Sequence, residues 1–352
     1  MSNVATRVRY AWRLLRAGEF RLDGGSMFGL IPKSVWSRSV NVDEKGRITV
    51  QHNCLLLERV GDGQVDGAQA GASGPKHVLI EVGTGDKLDV ASMDLFTMEK
   101  RTILTALHEA GCSPNDIGAV VTTHLHFDHS GGLTRLALPG EKPDWHGSAS
   151  GMAGARPDHG VCLAFPNAKV YTQRREWDDA IANRSVMTRT YFKDHLLPLR
   201  ELLPVCELEA LRERLILVDS PRPFPTGYTP HRDELPTITA EQRLTELPGV
   251  PGVHVMLCPG HTWGQQAVVF DDDKGRRVVF TPDVLPTAAH LGAAYSLAYD
   301  VEPYTSMVSK RWLLNDAASR DWLIVLDHEP GNPCKRVKAN SKGWFDLLDD
   351  AP

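Results

Sequence analysis

The sequence contains no Cys-x-x-Cys pair, so neither a zinc ribbon nor a thioredoxin-like redox site is indicated. Its six cysteines (Cys54, Cys112, Cys162, Cys206, Cys258 and Cys334) are widely scattered, a usage that fits a reducing, cytoplasmic compartment. No apolar run reaches the roughly 18 residues needed to span a bilayer, so no stable membrane insertion is expected. No long basic run occurs and the net charge is −5, which leaves nucleic acid without an electrostatic footprint. No internal repeat or long low-complexity tract stands out. What remains is ordinary globular composition, 42% hydrophobic and 24% charged over 352 residues.

The first twenty residues, with "VATRVRYAWRLLRAGEF", are Arg-rich and amphipathic. Val4, Val8, Ala11, Trp12 and Leu15 share one helix face, which predicts an N-terminal helical extension docked on the body of the protein. Residues 61 to 76, 139 to 160 and 220 to 236 are rich in Gly, Pro and polar residues and read as surface loops, the middle one as an insertion. Between them β-type runs alternate with helical ones. Strands are expected at 77 to 83, 117 to 123, 253 to 258, 277 to 281 and 322 to 326. Helices are expected at 98 to 110, 174 to 183, 188 to 203 and 303 to 318.

The chemistry concentrates in "THLHFDHSGG", residues 123 to 132. With only 14 histidines in the chain, three at these specified positions arise by chance in about 2% of such sequences, before the aspartate is required. His124 and His126 are two apart, so on an extended segment they face the same way and can hold one ion. Asp128 and His129 follow as the chain turns and can reach a second. Imidazole with carboxylate suits zinc, with iron and manganese as alternatives. Gly131 and Gly132 let the backbone turn tightly. Elsewhere the same coincidence recurs: "VHVMLCPG" runs into His261, "RVVFTP" into Asp283 and "WLIVLD" into His328. Strand ends are rigid anchors for reactive groups, so four such ends imply convergence on one site. That site draws on both halves of the chain, which overrides the length prior of about two domains and predicts a single domain over 1–352.

These segments resemble the signatures of the metallo-β-lactamase superfamily. "THLHFDHSGG" is similar to its H-x-H-x-D-H motif, "PGHTWGQQ" (259 to 266) to its PGHTPGH segment and "FTPDV" (280 to 284) to its GD segment. "LDHEPGNP" (326 to 333) supplies the last histidine. The resemblance implies an α/β fold, an αββα sandwich of two mixed β-sheets flanked by helices. It implies one metal held by His124, His126 and His261, a second held by Asp128, His129 and His328, and Asp283 bridging the two. The implied activity is a di-metal hydrolase in which a metal-bridging hydroxide cleaves a lactone or related ester of a small-molecule substrate, with Asp128 and Asp283 as the catalytic acids. Phosphotriester or thioester hydrolysis on the same fold is the alternative, and an iron-dependent oxidoreductase the alternative of another class. A homodimer is compatible with all of these. Asp283 stands where many true β-lactamases of the superfamily have a cysteine ligand, which argues against antibiotic hydrolysis.

Glu81 takes the place of the aspartate of the family's D-T-G segment, implying that it orients a ligand histidine from behind. "GSMFGLIPKSVW" (25 to 36) resembles the N-terminal segment of a lactonase-like and organophosphate-hydrolase-like branch, which makes Met27 and Phe28 candidate walls of a substrate pocket. Phe127, inside the metal loop, is a further wall. Acyl-homoserine lactonases of the superfamily carry a tyrosine three residues after the bridging aspartate. Here that residue is Pro286, which leaves His290, Tyr295 and Tyr299 either as substitutes, His290 as a candidate pocket residue, or as structural residues.

Overall fold

The computed structural model describes residues 8–60, 74–148, 159–187, 189–200 and 214–352. Two large mixed sheets dominate. The six strands of the first run in the order Tyr10–Asp23, Arg47–Arg59, His77–Ile80, Ile117–Val121, Lys169–Gln173, Leu215–Val218. The seven of the second run Thr245–Glu246, Val253–Leu257, Gln266–Asp271, Arg277–Thr281, Leu323–Leu326, Cys334–Ala339, Phe345–Asp349. Central strands such as "IGAVV" and "LIVL" are apolar without alternation because both of their faces are covered.

On the inner face, Leu55, Val78 and Val121 of the first sheet meet Val255, Phe280 and Val325 of the second. On the outer face of the first sheet, Leu56, Leu79 and Val120 pack with Leu107 and Trp177 from helices Ile103–Glu109 and Arg174–Ile181. On the outer face of the second, Met256, Val279 and Ile324 pack with Val308, Trp312 and Leu313 of helix Pro303–Ser319. The layers are therefore helix, sheet, sheet, helix, the αββα sandwich expected from the sequence.

Several expectations are corrected. The start of the described chain is a strand rather than a helix. Tyr10–Asp23 pairs antiparallel with Arg47–Arg59 over almost its whole length, from Tyr10 opposite Arg59 to Asp23 opposite Arg47. Tyr10, Trp12 and Leu14 face the inter-sheet core while Leu15 and Ala17 face the helices, a period of two that the helical reading of residues 1–20 missed. Residues 1–7 of that reading lie outside the described residues.

The helix expected from residue 98 starts only at Ile103, after Thr102 in extended backbone. Of the helix expected over 188 to 203, one turn forms at Lys193–Leu196, followed by a 3-10 turn to Leu199, and residues 188 and 201–203 lie outside the described residues. The stretch 139 to 160 is not all loop: Trp145–Gly147 pairs with His159–Leu163, which pairs in turn with Thr134–Leu136, forming a small third sheet. Residues 149–158 lie outside the described set, as do 61–73 of the first predicted loop.

The topology brings the candidate residues together. His77–Ile80 and Ile117–Val121 are parallel, with Ile80 opposite Val121, so Glu81 and Thr123–His124 leave the sheet side by side. Arg277–Thr281 and Leu323–Leu326 are also parallel, with Thr281 opposite Leu326, so Asp283 and Asp327–His328 emerge as neighbours. A hydrogen bond from the Gln266 amide to the Thr123 carbonyl (2.9 Å) links the two sheets at this edge.

Candidate metal centre

All seven acids and histidines of the motifs are buried at this edge. One nitrogen from each of His124, His126 and His261 falls within 4.8 Å of the others, and so do donor atoms of His129, Asp283, Asp327 and His328. Asp283 lies between the two groups. Its Oδ2 is 3.1 Å from His261 Nε2, 3.8 Å from His129 Nε2 and 3.9 Å from His124 Nε2, and its Oδ1 is 3.4 Å from His328 Nε2. Asp128 lies 3.7 Å from His328 Nε2 and 3.9 Å from His129 Nε2.

The outward nitrogens explain the orientation of the rings. His261 Nδ1 donates to Asp300 Oδ1 (2.8 Å), His129 Nδ1 to Glu81 Oε2 (3.1 Å) and His328 Nδ1 to the Gln51 carbonyl (3.0 Å), while His124 Nδ1 meets the Thr123 hydroxyl (3.1 Å). These partners turn the Nε2 atoms of His124, His129, His261 and His328 towards the centre. Nitrogen atoms crowd there: His129 Nε2 lies 3.2 Å from His328 Nε2, and His261 Nε2 lies 3.0 Å from His126 Nδ1. His124 Nε2, Asp283 Oδ1 and both Asp327 oxygens are buried without a protein hydrogen-bond partner. Unpaired buried acceptors facing one another are costly unless a cation lies among them. The donor set, imidazole and carboxylate, therefore fits divalent metal ions.

The electrostatics agree. Burial and the neighbouring imidazoles of His129 and His261 hold His124 and His126 well below the ordinary histidine value, in the neutral form that binds metals. Burial alone would lower His129 too, but the Glu81 and Asp128 carboxylates push it up to about 10. Burial likewise opposes ionisation of Asp283, yet His261, His328 and His129 hold it below the usual carboxylate range. Asp327 is pushed up by burial and by the facing Asp283. The acids of this centre draw positive charge to it.

Glu81 makes two contacts: its Oε1 accepts from the Thr123 amide at 2.5 Å and its Oε2 from His129. Its backbone is left-handed, φ 65°, uncommon for a residue with a side chain. Gly131 has ordinary helical φ (−60°), so its role is not the conformational freedom expected from the sequence. A Cβ there would come within 2.0 Å of the Thr84 carbonyl oxygen, and one on Gly132 within 2.2 Å of that of Val82. Both glycines are required for close packing of the metal loop on the turn that carries Glu81.

The centre forms the floor of a cavity of about 540 Å³. His126, Asp128, His261, Asp283 and His328 reach it, and Met27, Phe96, Phe127, Phe192 and Leu297 line its walls. Phe28 and His290, both expected as pocket residues, are corrected: neither lines the cavity. Phe28 is buried between Trp36 and His290, stacked at ring separations of 5.0 and 4.5 Å. His290 spends both nitrogens on protein groups, Nε2 on the Met27 carbonyl (2.9 Å) and Nδ1 on the Thr287 hydroxyl (2.7 Å). Tyr299 does line the cavity, and burial pushes its phenol up to about 12.

Sequence reasoning missed Asp300, Gln51 and Asp327. Asp300 lies in "LAYDVEP" with no motif to mark it, and Gln51 acts through a backbone carbonyl, which no sequence pattern encodes. Asp327 carried a signal, an acid directly before the last histidine at a strand end.

The family model of the metallo-β-lactamase superfamily matches residues 73–328. With that match and the αββα sandwich, the chain belongs to the metallo-β-lactamase superfamily, as a hydrolase of that fold. A search of curated proteins finds no match. Among solved structures, a probable metal-dependent hydrolase from Staphylococcus aureus is similar at 21% identity and TM-score 0.66, covering 99% of this chain and 100% of that one. The hydrolase AbOPH of the β-lactamase superfamily is similar at 15% identity and TM-score 0.62, covering 100% and 99%. AidC, a dizinc quorum-quenching lactonase in complex with a product, is similar at 17% identity and TM-score 0.59, covering 98% of each. Among the described residues no helix is long and apolar enough to cross a membrane.

Proposed function

We propose that this chain is a di-metal hydrolase that opens a lactone, or cleaves a related ester, of a small and largely apolar substrate. The observation that carries the reading is that two groups of inward-facing donors meet at Asp283 on the floor of one cavity with apolar walls. In this reading His124, His126 and His261 hold one cation, Asp128, His129 and His328 hold the other, and Asp283 serves both. Asp327 falls within the second group. Zinc is the expected metal for imidazole and carboxylate donors, with iron and manganese as alternatives. The likeness to a dizinc lactonase supports the choice of reaction class.

When bound, a pair of divalent cations supplies an acidified water and an electrophile for the scissile carbonyl. The chain's own residues do the rest. Glu81, Asp300, Thr123 and the Gln51 carbonyl fix the ring orientations, so that little reorganisation accompanies reaction. Asp128, which reaches both the cavity and the imidazole of His328, is placed to take up and return a proton. Tyr299, kept protonated by burial, lines the same cavity and donates to the leaving oxygen, in place of the tyrosine that Pro286 replaces. Phe127, Phe96 and Leu297 exclude water from the substrate's apolar portion. The five described cysteines are buried and free, compatible with a reducing compartment such as the cytoplasm.

The test is metal analysis of the purified chain together with a panel of lactones, esters, thioesters and phosphotriesters. About two ions per chain and lactone or ester turnover, abolished by chelation and by His126→Ala, are expected. Turnover that survives His126→Ala overturns the mechanism. Iron with dioxygen consumption in place of hydrolysis overturns the reaction class.

A further inference from the structure

The helix Arg174–Ile181 supplies none of the inward-facing donors, yet its first turn carries a fully buried acid, Glu176. Glu176 Oε1 accepts from the Leu125 amide at 2.9 Å, between His124 and His126. Its Oε2 accepts from the Thr262 hydroxyl at 2.5 Å, the residue after His261. The Tyr191 hydroxyl donates to Oε1 at 3.4 Å, and the Tyr191 ring lies 5.2 Å from that of His126. One carboxylate thus bonds both segments that supply the nitrogens of the trio, although His126 and His261 are 135 residues apart in sequence.

The approach of these parts is close. A Cβ on Gly264 would lie 2.2 Å from the Glu176 amide nitrogen and 2.6 Å from its Cβ. The loop bearing His261 reaches the helix only because position 264 has no side chain. Burial pushes the Glu176 carboxyl up, opposed by the hydrogen bonds from Thr262 and Leu125. No arginine or lysine pairs with it among the described residues, so its compensation comes from the two ligand loops and the Tyr191 hydroxyl. Of the remaining donors, His129 is held by Glu81, which also accepts from the Thr123 amide beside His124, and His328 by the Gln51 carbonyl.

We propose that Glu176 is a positioning residue that holds the His124–His126 loop and the His261 loop at the spacing the trio requires, and so sets the affinity for one of the two cations. The inference rests on the di-metal reading above and goes beyond it by making the two cations unequally dependent on a residue that touches neither.

The experiment is zinc titration of the full chain, stripped and reloaded, in competition with a chromophoric chelator. Wild type is expected to bind two ions. Glu176→Ala is expected to weaken one ion about 10–100-fold, the range for loss of groups that orient metal ligands, and to leave the other within about threefold. Glu176→Gln keeps an acceptor for Leu125 and a polar partner for Thr262, and is expected to restore most of the affinity. Thr262→Val, which cuts one arm of the tether without emptying the site, is expected to move the same ion in the same direction. It carries the test alone if Glu176→Ala does not fold. Equal weakening of both ions, or no change in either, with wild type still binding two, overturns the proposal. A wild type that binds fewer than two ions overturns the di-metal reading beneath it.

Discussion

His261 gives its Nδ1 proton to Asp300 at 2.8 Å, and that contact decides which of its nitrogens faces Asp283 and His126. Asp300 is itself fixed, since its second oxygen accepts from the Leu297 amide at 3.2 Å. Removing it frees the ring to turn and to change tautomer. Asp300→Ala is expected to lower zinc affinity about 10–100-fold, with Asp300→Asn in between because it keeps an acceptor. Chelator competition measures both, and wild-type affinity in Asp300→Ala would dismiss the role given to this contact.

Tyr299 lies on the cavity wall with its phenol raised to about 12, so it stays protonated throughout neutral and mildly alkaline assays. In the role proposed for it, donor to the leaving oxygen, it acts on kcat more than on KM. Tyr299→Phe is expected to lower kcat about a hundredfold, with KM changed less than threefold and the same ratio at pH 7 and pH 9. Steady-state kinetics on the best substrate of the panel decide it; a loss confined to KM means the hydroxyl only binds.

His290 belongs to the packing behind the cavity, stacked on Phe28 and bonded to the Met27 carbonyl and the Thr287 hydroxyl. His290→Ala is expected to cost on the order of 2–3 kcal/mol of stability, from the void and the unpaired Met27 carbonyl, while kcat at 25 °C changes little. Urea unfolding beside activity assays separates the two effects. A large kcat loss with unchanged stability would place His290 in the chemistry after all.

Lys310 is a fully buried cation on helix Pro303–Ser319, and its Nζ donates to the carbonyls of His290 (2.8 Å), Gly292 (3.2 Å) and Tyr295. It ties the helix to the loop that leads to Leu297, Tyr299 and Asp300. Burial lowers it from its ordinary 10.5 to about 7, against the pull of Asp300. Below about pH 7 it is charged in both folded and unfolded chains and the cost of burying that charge is fully present. Between about 7 and 10.5 the folded protein releases the proton while the unfolded chain keeps it, so that cost is relieved as pH rises. The stability of wild type relative to Lys310→Met is therefore expected to improve from pH 7 to pH 10. A difference flat in pH, measured by denaturant unfolding, contradicts the shift.

In the proposed di-metal centre, removing the ions leaves buried imidazoles and carboxylates crowded together, among them His129 and His328 with Nε2 atoms 3.2 Å apart. Ions bound only by the folded chain stabilise it by mass action, about 4 kcal/mol at a thousandfold excess over Kd. Chelation is expected to lower Tm by at least several degrees, and readdition of zinc to restore it. A melting curve indifferent to chelator would mean that the cluster binds no ion tightly.

The ligand motif was legible because its chemistry is local. His124, His126, Asp128 and His129 lie within six positions, and no tertiary contact is needed to see that such a loop suits metal. The inner strands were legible for a similar reason: runs such as "IGAVV" are covered on both faces and so are apolar throughout. Tyr10–Asp23 was misread because Val8, Ala11, Trp12 and Leu15 fall at helical spacing, and only pairing with Arg47–Arg59 selects the strand. Phe28 and His290 were misplaced because an aromatic side chain looks the same in sequence whether it lines a cavity or stacks behind one.

By itself, then, the sequence determined the donor types and their grouping in one loop and at three strand ends, and the layered fold was expected through the resemblance of those motifs to the metallo-β-lactamase superfamily. Tertiary structure alone decided which nitrogen His129, His261 and His328 present, because the Glu81 and Asp300 carboxylates and the Gln51 carbonyl reach those rings from positions remote in the chain. Glu81 meets the metal loop because Ile80 pairs in parallel register with Val121, and Asp283 meets His328 because Thr281 pairs with Leu326; a register exists only once the strands have paired.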